Sequence, residues 1–148
     1  GIDFDEAVMA HVRATLGDAL EQADTSDPAT REALAALRVE CVTAKELLSS
    51  DSDATISVNL PSLRTQVRLT RAEFEDVVRP MVRETVQAMQ RAVQAAGVEA
   101  TAVKAVLLAG GSSRIPLVGE LVARELGRPV VADSHPKHTV AMGAARVA

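Results

Sequence analysis

Two adjacent glycines in the second half of the chain are the residues best placed for ligand chemistry. Gly110 and Gly111 follow an apolar run, residues 103–109, that predicts a buried strand, and they precede a predicted helix. Ligands of open α/β sheets bind at the carboxyl ends of strands, where turns of this kind lie. Glycine also permits positive φ angles and the close approach of a ligand to the backbone. The pair therefore predicts either a ligand-binding loop or a tight turn.

This glycine pair does not match the common phosphate-binding motifs. A Walker A loop would continue into Gly-Lys-Ser or Gly-Lys-Thr, which does not follow here. A G-x-G-x-x-G motif is also absent, because the two glycines are adjacent and position 115 is isoleucine.

Other reactive residue types give weaker candidates. His135 and His138 flank Lys137, but two histidines without a third ligand and beside a cation make a poor metal site. Cys41 falls on the apolar stripe of a predicted helix, so we expect a small buried hydrophobe. A cysteine–histidine nucleophile would need His11 to lie close to it in space. We therefore predict no catalytic residue and no metal ligand in this chain.

The composition excludes several classes of function. Of 148 residues, 47% are hydrophobic and 24% charged, which is typical of a folded domain. Phe4 and Phe74 are the only residues of the Phe, Tyr and Trp types, so a base-stacking RNA surface is nearly excluded. The net charge of −4 provides no basic footprint for nucleic acid or anionic lipid, and the lone cysteine forbids an internal disulfide. We expect a helix-rich cytoplasmic protein without contacts to nucleic acid or membrane.

The first part of the chain predicts two helices and a hairpin. Asp3 and Asp5 are interpreted as helix-start residues rather than catalytic carboxylates, because acidic side chains favour the first turn of a helix. A polar loop at 24–28 separates the two helices, and the alternation at 54–60 predicts a half-buried strand paired with 65–69. The apolar faces are predicted to be Val8, Val12, Leu16 and Leu20 in the first helix, and Leu34, Leu37, Cys41, Ala44 and Leu48 in the second.

A third helix is predicted to begin at the segment from Thr70 to Glu73, because these two residues have the spacing of a capping box. Pro80 is expected to kink it and Gly97 to cap its end. Its apolar face is predicted to be Phe74, Val77, Met81, Met89 and Val93.

The last part of the chain predicts a βαβ unit. The strand at 103–109, expected to be buried on both faces, leads through the glycine turn into a helix at 116–126 that Gly127 ends. A second short strand follows at 129–131, and a terminal helix is expected from Pro136 onward. The predicted fold class is therefore α/β with an α+β front part, divided into a helix-and-hairpin subdomain, 1–78, and a βαβ-containing subdomain, 79–148.

Five ordered segments of this chain resemble signatures of the heat-shock protein 70 (DnaK-like) chaperones, within the actin-like ATPase superfamily. The segment around the glycines, Leu-Leu-Ala-Gly-Gly-Ser-Ser-Arg-Ile-Pro, resembles the adenosine-binding signature of that family. The other four resemble the family's Gly-Gly-x-Asp-Phe-Asp, Ala-Lys-x-x-Leu-Ser, Leu-Thr-Arg-x-x-Phe-Glu and Val-Ala-x-Gly-Ala-Ala segments. In order along the chain, the five segments are 1–5, 44–50, 69–75, 107–116 and 140–145.

The resemblance implies that this chain is most of lobe two of a two-lobed nucleotide-binding domain. Residues 1–78 would be the small subdomain of that lobe, and 79–148 the C-terminal half of its larger subdomain. The cofactor implied is ATP or ADP, with magnesium supplied together with the nucleotide by other parts of the domain. The phosphate-gripping Asp-x-Gly-Thr loops and the catalytic lysine of the family are not found here, so we expect this chain alone to show no ATP hydrolysis.

The resemblance also implies nucleotide-binding residues in the first subdomain. Positions 42, 45 and 49 share one helix face, and in the family this face meets the ribose and adenine. Lys45 would donate to ribose hydroxyls or a purine nitrogen, and Ser49 would hydrogen-bond the edge of the base. The resemblance also places Gly1 among the nucleotide-binding residues. The alternative is a solvated lysine on a surface helix.

A second group of nucleotide-binding residues is implied around the glycine turn. Gly110, Gly111 and Ser112 would let the backbone and a hydroxyl approach the nucleoside. Arg114, with its planar guanidinium, would stack on one face of adenine, and Ile115 would pack beside the ring. The alternative is a surface arginine next to a tight turn.

Three positions depart from the family pattern. Val42 stands where the family commonly has a ribose-binding Glu, Glu46 where an Arg often sandwiches adenine, and Lys137 where an Asp is usual. Each lost hydrogen bond or stack costs about 1–2 kcal/mol. The alternative function is therefore a degenerate, non-enzymatic interaction module. Another actin-like ATPase, such as a sugar kinase or a filament protein, is disfavoured by segments 44–50 and 69–75.

Two protein partners are expected. Residues 1–53 carry 12 acidic and 4 basic residues, against 8 and 12 in 54–148, and this asymmetry indicates either solvated helix faces or a partner surface. The resemblance implies that a nucleotide-exchange factor docks on 1–78. Dimerisation or strand exchange of this chain is also expected, because a βαβ sheet without its neighbouring strands exposes an edge.

Overall fold

The computed structural model describes residues 1–132 and 139–147. Within these ranges the chain is mixed helix and strand, so the α/β class predicted from the sequence is confirmed. The helices are α1 (Ile2–Leu16), α2 (Asp18–Glu21), α3 (Pro28–Leu47), α4 (Arg71–Ala95), α5 (Pro116–Leu126) and α6 (Thr139–Val147). The strands are β1 (Asp53–Leu60), β2 (Leu63–Thr70), β3 (Val106–Leu108) and β4 (Val130–Ala132). Short 3-10 turns occupy Ala100–Ala102 and Gly111–Arg114.

The chain divides into two compact units, which are described separately. The front unit is Gly1–Val78 and the back unit is Arg79–Ala148, so the boundary falls inside α4. In the described residues, no helix combines the length and the apolarity needed to cross a bilayer.

The core of the front unit lies between α1, α3 and the hairpin. Val8 and Val12 of α1 are buried as predicted, but Gly17 ends this helix with φ +55, so Leu20 belongs to the separate short helix α2. The prediction of one helix continuing to Leu20 was wrong, because a glycine with positive φ breaks the hydrogen-bond ladder. Along α3 and its C-cap Leu48, the predicted stripe is confirmed at four of five positions, since Leu37, Cys41, Ala44 and Leu48 are buried and Leu34 is half-buried.

The predicted hairpin is confirmed as β1 and β2, which pair antiparallel from Asp53 opposite Thr70 to Leu60 opposite Leu63. Side chains alternate between the two faces of a strand, and one face of β1 packs into the core. The buried residues on that face are Ala54, Ile56, Val58 and Leu60.

The start of α4 is the predicted capping box. The backbone N–H of Thr70 donates to Glu73 Oε2 at 2.9 Å, and the N–H of Glu73 donates to Thr70 Oγ1 at 3.2 Å. These bonds satisfy two backbone donors that the helix leaves without partners. Pro80 lies inside α4, which continues to Ala95, and Gly97 follows it with φ +67.

The predicted apolar face of α4 was partly wrong. Val77 is exposed, and Met81, Met89 and Val93 are half-buried. The sequence offers two apolar stripes that share Phe74, and packing selects the stripe with a strict spacing of four. Its buried residues are Phe74, Val78, Val82 and Val86.

The back unit contains the predicted βαβ arrangement. β3 and β4 pair in parallel, with Val106 opposite Val130, and α5 connects them in sequence. α5 begins at Pro116 and is ended by Gly127 in the left-handed conformation, φ +60, as predicted. The βαβ unit read from the sequence is therefore confirmed.

The first strand of this unit differs from its prediction. It spans three residues rather than 103–109, and Leu107 is 63% exposed. The expectation of burial on both faces was wrong, because in the described residues this sheet has two strands and nothing covers Leu107 or the exposed Val131. The predicted start of the last helix at Pro136 falls outside the described residues, as do His135, Lys137 and His138.

Candidate functional site

In the front unit, the residues predicted to meet the nucleoside lie at the end of α3. Lys45 is in the last turn of that helix, and its Nζ donates to Asp5 Oδ1 in the first turn of α1. Ser49 is half-buried one turn further along, and its backbone N–H donates to the Glu46 carbonyl at 3.2 Å. An ammonium group and a hydroxyl one turn apart can both donate hydrogen bonds to the same polar ligand.

The partner of Lys45 is the functional feature that the sequence reasoning missed. Asp5 was interpreted only as a helix-start residue, and it does occupy the first turn of α1. The ion pair is largely shielded from solvent, with 14% of the Lys45 side chain and 25% of the Asp5 side chain exposed. Forty positions separate the two residues in the chain, so no helical or strand periodicity signals the pair. Only the packing of α1 against α3 reveals it.

Gly1 lies at the same end of the front unit. It is exposed, and its carbonyl accepts hydrogen bonds from the N–H groups of Phe4 at 3.0 Å and Asp5 at 3.2 Å. Gly1 therefore precedes α1 as its N-cap. The predicted residues Gly1 and Lys45 and the newly found Asp5 are thus neighbours in the front unit.

In the back unit, the glycine turn directly follows β3. Gly110 has φ +91, a conformation that strongly favours glycine, and its carbonyl accepts from the Ser113 hydroxyl at 2.6 Å. Gly111 does not need positive φ. A Cβ built on Gly111 would lie more than 4 Å from every described atom outside its chain neighbours, so the backbone here faces open space.

The residues after these glycines divide into exposed and buried ones. Arg114 is exposed at the end of the 3-10 turn, and Ser112 is half-buried. Ile115 is only 3% exposed and sits just before α5, whose Leu117 and Leu121 are also buried. The Arg114 side chain is therefore accessible to solvent, whereas Ile115 is packed in the core.

The two groups of residues belong to different units. Lys45, Ser49 and Gly1 lie in the front unit, and the turn from Gly110 to Ile115 lies in the back unit. Of the departures from the family pattern, Val42 is half-buried and Glu46 is exposed on α3. Lys137 lies outside the described residues.

Cys41 is buried in the front unit, with its Sγ 3.9 Å from Met9 Sδ. Burial raises the pKa of this thiol to about 11, and the thiolate is the nucleophilic form of cysteine. The prediction of a small buried hydrophobe is confirmed, and a cysteine nucleophile is disfavoured. In residues 1–132 and 139–147, no three His, Cys, Asp or Glu side chains gather as metal ligands would.

A cavity of about 490 Å³ lies in the back unit, away from the glycine turn. It opens between the end of α4 and α5, where Gln90 Nε2 donates to the Glu125 carbonyl at 3.1 Å. None of the predicted site residues lines it.

Comparison with known proteins matches the whole chain to one family. A family profile described as "Hsp70 protein" covers residues 1–148. The chain is 35% identical over 145 residues to a protein named Chaperone protein HscA from Shigella boydii serotype 18, which covers 98% of this chain and 22% of that protein. The proteins of the same name from Citrobacter koseri and Escherichia coli O9:H4 are 36% and 34% identical, with the same coverage. The chain thus spans about a fifth of the length of these relatives.

Proposed function

Because this chain belongs to the Hsp70 family, we propose that it is part of an ATP- and ADP-binding chaperone domain and supplies the residues that hold the adenosine half of the nucleotide. Residues 1–78 form the small subdomain of lobe two in this proposal, and 79–148 form the C-terminal half of the larger subdomain.

The observation that carries the proposal is the Gly110 turn at the carboxyl end of β3. A parallel strand, a glycine with φ +91 and a following helix make up the geometry at which α/β proteins bind nucleotides. The Cβ position of Gly111 is open, as it is at the other glycines, which leaves room for a ligand beside the backbone. Arg114 is exposed beside this turn, and its guanidinium stacks on adenine in our proposal.

The residues at the end of α3 bind the sugar and the base. The Lys45 ammonium donates to ribose hydroxyls or a purine nitrogen, and the Ser49 hydroxyl donates to the edge of the base. Both side chains are partly shielded from water, which strengthens such hydrogen bonds. Gly1 adds backbone at the same end of the front unit. Ile115, which is buried just before α5, packs beside the adenine ring in this proposal.

The chain alone does not hydrolyse ATP in this proposal. Hydrolysis depends on groups that position the γ-phosphate and its magnesium ion, whereas the residues assigned here contact adenosine. Magnesium arrives with the nucleotide and is held by residues outside this chain. We expect no magnesium-dependent turnover above a blank. Turnover that an Arg114→Ala change abolished would contradict this assignment.

A second candidate is an interaction module that has kept the fold and lost nucleotide binding. Val42 removes an acceptor for the ribose hydroxyls, and Glu46 places a carboxylate on α3 where a stacking cation is common in the family. Together these losses cost about 2–4 kcal/mol of binding free energy, a factor of about thirty to a thousand in Kd. In either case a nucleotide-exchange factor is the partner proposed for residues 1–78.

Calorimetric titration of the complete protein with ATP and ADP tests the two candidates. We expect saturable heat in the wild type. The affinity should fall about tenfold or more in Gly111→Ala, because in this proposal the ligand approaches the backbone at Gly111, where a methyl group obstructs it. Gly119→Ala is the matched control, since its Cβ position is also open but Gly119 belongs to α5 rather than to the turn. No heat beyond dilution at millimolar nucleotide would favour the interaction module.

A further inference from the structure

We propose that Asp5 is a positioning residue for the nucleotide: through its ion pair it holds the Lys45 ammonium in the orientation that meets adenosine. This inference rests on the proposed function and adds a residue to it. It assigns to the first turn of α1 a role in ligand affinity beyond starting a helix.

The geometry of the pair supports a positioning role. Asp5 reaches Lys45 from a different helix and clamps a side chain that has four rotatable bonds. Both groups are largely shielded, so the interaction is weakly screened by solvent. A lysine ammonium has three N–H donors, and Asp5 Oδ1 accepts one of them. In this proposal the other N–H groups of the ammonium donate to the ligand.

The position of the ion pair in the fold also favours a positioning role for Asp5. Asp5 lies at the N-terminal end of α1, where a carboxylate is favoured by the helix dipole, and Lys45 lies at the C-terminal end of α3, where a cation is favoured. Each helix therefore stabilises the charge that it carries. The pair is held in place before a ligand binds, which lowers the entropy lost when the lysine is ordered.

A neighbouring ion pair provides a matched comparison. Glu6, the next residue of α1, pairs with Arg38 of α3. These two side chains are 54% and 51% exposed, so their pair is open to solvent. The two pairs join the same helices, but Arg38 lies about two turns before Lys45 and belongs to no predicted ligand set.

The experiment measures ADP affinity in the complete protein. Urea unfolding shows whether each variant is folded. We expect Asp5→Asn to weaken ADP binding about two- to tenfold, since the lysine must then be ordered by the ligand. Glu6→Gln is expected to leave the affinity unchanged. Asp5→Glu, which keeps a carboxylate, should restore part of the lost affinity.

The decisive arm is the double variant. In a Lys45→Met protein, we expect Asp5→Asn to cause no further loss of ADP affinity, because its effect passes through the ammonium. An equal loss in both backgrounds would overturn the inference, and so would an unchanged affinity in Asp5→Asn while the wild type binds. Failure of the wild type to bind ADP would instead overturn the proposed function, and the inference with it. If Asp5→Asn did not fold, the change in ADP affinity caused by Asp5→Glu would be compared in the wild-type and Lys45→Met proteins instead.

Discussion

The rings of Phe4 and Phe74 meet edge to face, with centroids 6.4 Å apart and planes at 86°. They join the first turn of α1 to the first turn of α4. Phe74 is fully buried and Phe4 is half-buried. Phe4 also directly precedes Asp5, so this contact helps to fix the end of α1 that carries the proposed positioning residue.

Loss of either ring is expected to destabilise the front unit by different amounts. Phe74→Ala removes a fully buried side chain and should lower the free energy of unfolding by about 3–5 kcal/mol. Phe4→Leu keeps apolar volume but loses the ring pair, which should cost about 0.5–1.5 kcal/mol. Urea denaturation checks both values. Ile2→Ala, at a residue 78% exposed, is the control and should change stability by less than about 0.5 kcal/mol.

The capping box makes part of the stability pH-dependent. Hydrogen bonds from the Thr70 hydroxyl and N–H lower the pKa of the Glu73 carboxyl below its ordinary value of 4.5. Because the pKa is lower in the folded state, this contribution is fully present above the ordinary value and is lost as the pH falls through the folded pKa. We expect the free energy of unfolding to fall more steeply in the wild type than in Glu73→Gln as the pH is lowered through and below the ordinary value of 4.5.

Glu84→Gln is the control for this titration, because it removes the same charge from an exposed position in the middle of α4. Its pH profile should follow the wild type. Parallel profiles for the wild type and Glu73→Gln would contradict the role assigned to the capping box.

The thiol of Cys41 is expected to be unreactive in the folded protein. It is buried, and its pKa of about 11 leaves little thiolate at neutral pH. Labelling by an aromatic disulfide reagent should therefore proceed at the rate of local or global opening and accelerate in urea. Ala36→Cys, exposed on the same helix, should label at once. Equally fast labelling of Cys41 in the wild type would show that the core between α1 and α3 is open.

The exposed face of the small parallel sheet predicts self-association of this chain. Leu107 and Val131 are large apolar side chains that remain exposed on β3 and β4, and a short sheet with open edges can pair with another copy. Light scattering should show dimers that Leu107→Lys dissociates. Val39→Lys, on an exposed position of α3, should leave them intact. A clean monomer at all concentrations would contradict this prediction.

The features predicted correctly are those that neighbouring residues decide. The capping box of Thr70 and Glu73, the strand alternation from Ala54 to Leu60 and the end of α5 at Gly127 each depend on interactions within one or two turns of chain. In the candidate site, the turn at Gly110 was predictable for the same reason, because the requirement for positive φ is local.

The features that were missed depend on what packs against each element. The predicted stripe of α4 included Val77, but packing buried the neighbouring Val78 instead. Apolar residues predicted a strand buried on both faces at Leu107, but burial requires a second layer, and none covers this residue in the described part of the chain.

Periodicity and local chemistry were enough to predict most of the helices and strands, the capping box of α4 and the end of α5 at Gly127, whereas the family was indicated by the resemblance of five ordered motifs. The ion pair between Asp5 and Lys45, in contrast, became visible only in the folded chain. The physical reason is the separation of the two residues along the chain: a contact between the first turn of α1 and the last turn of α3 exists only after the helices have packed, and no local pattern encodes it.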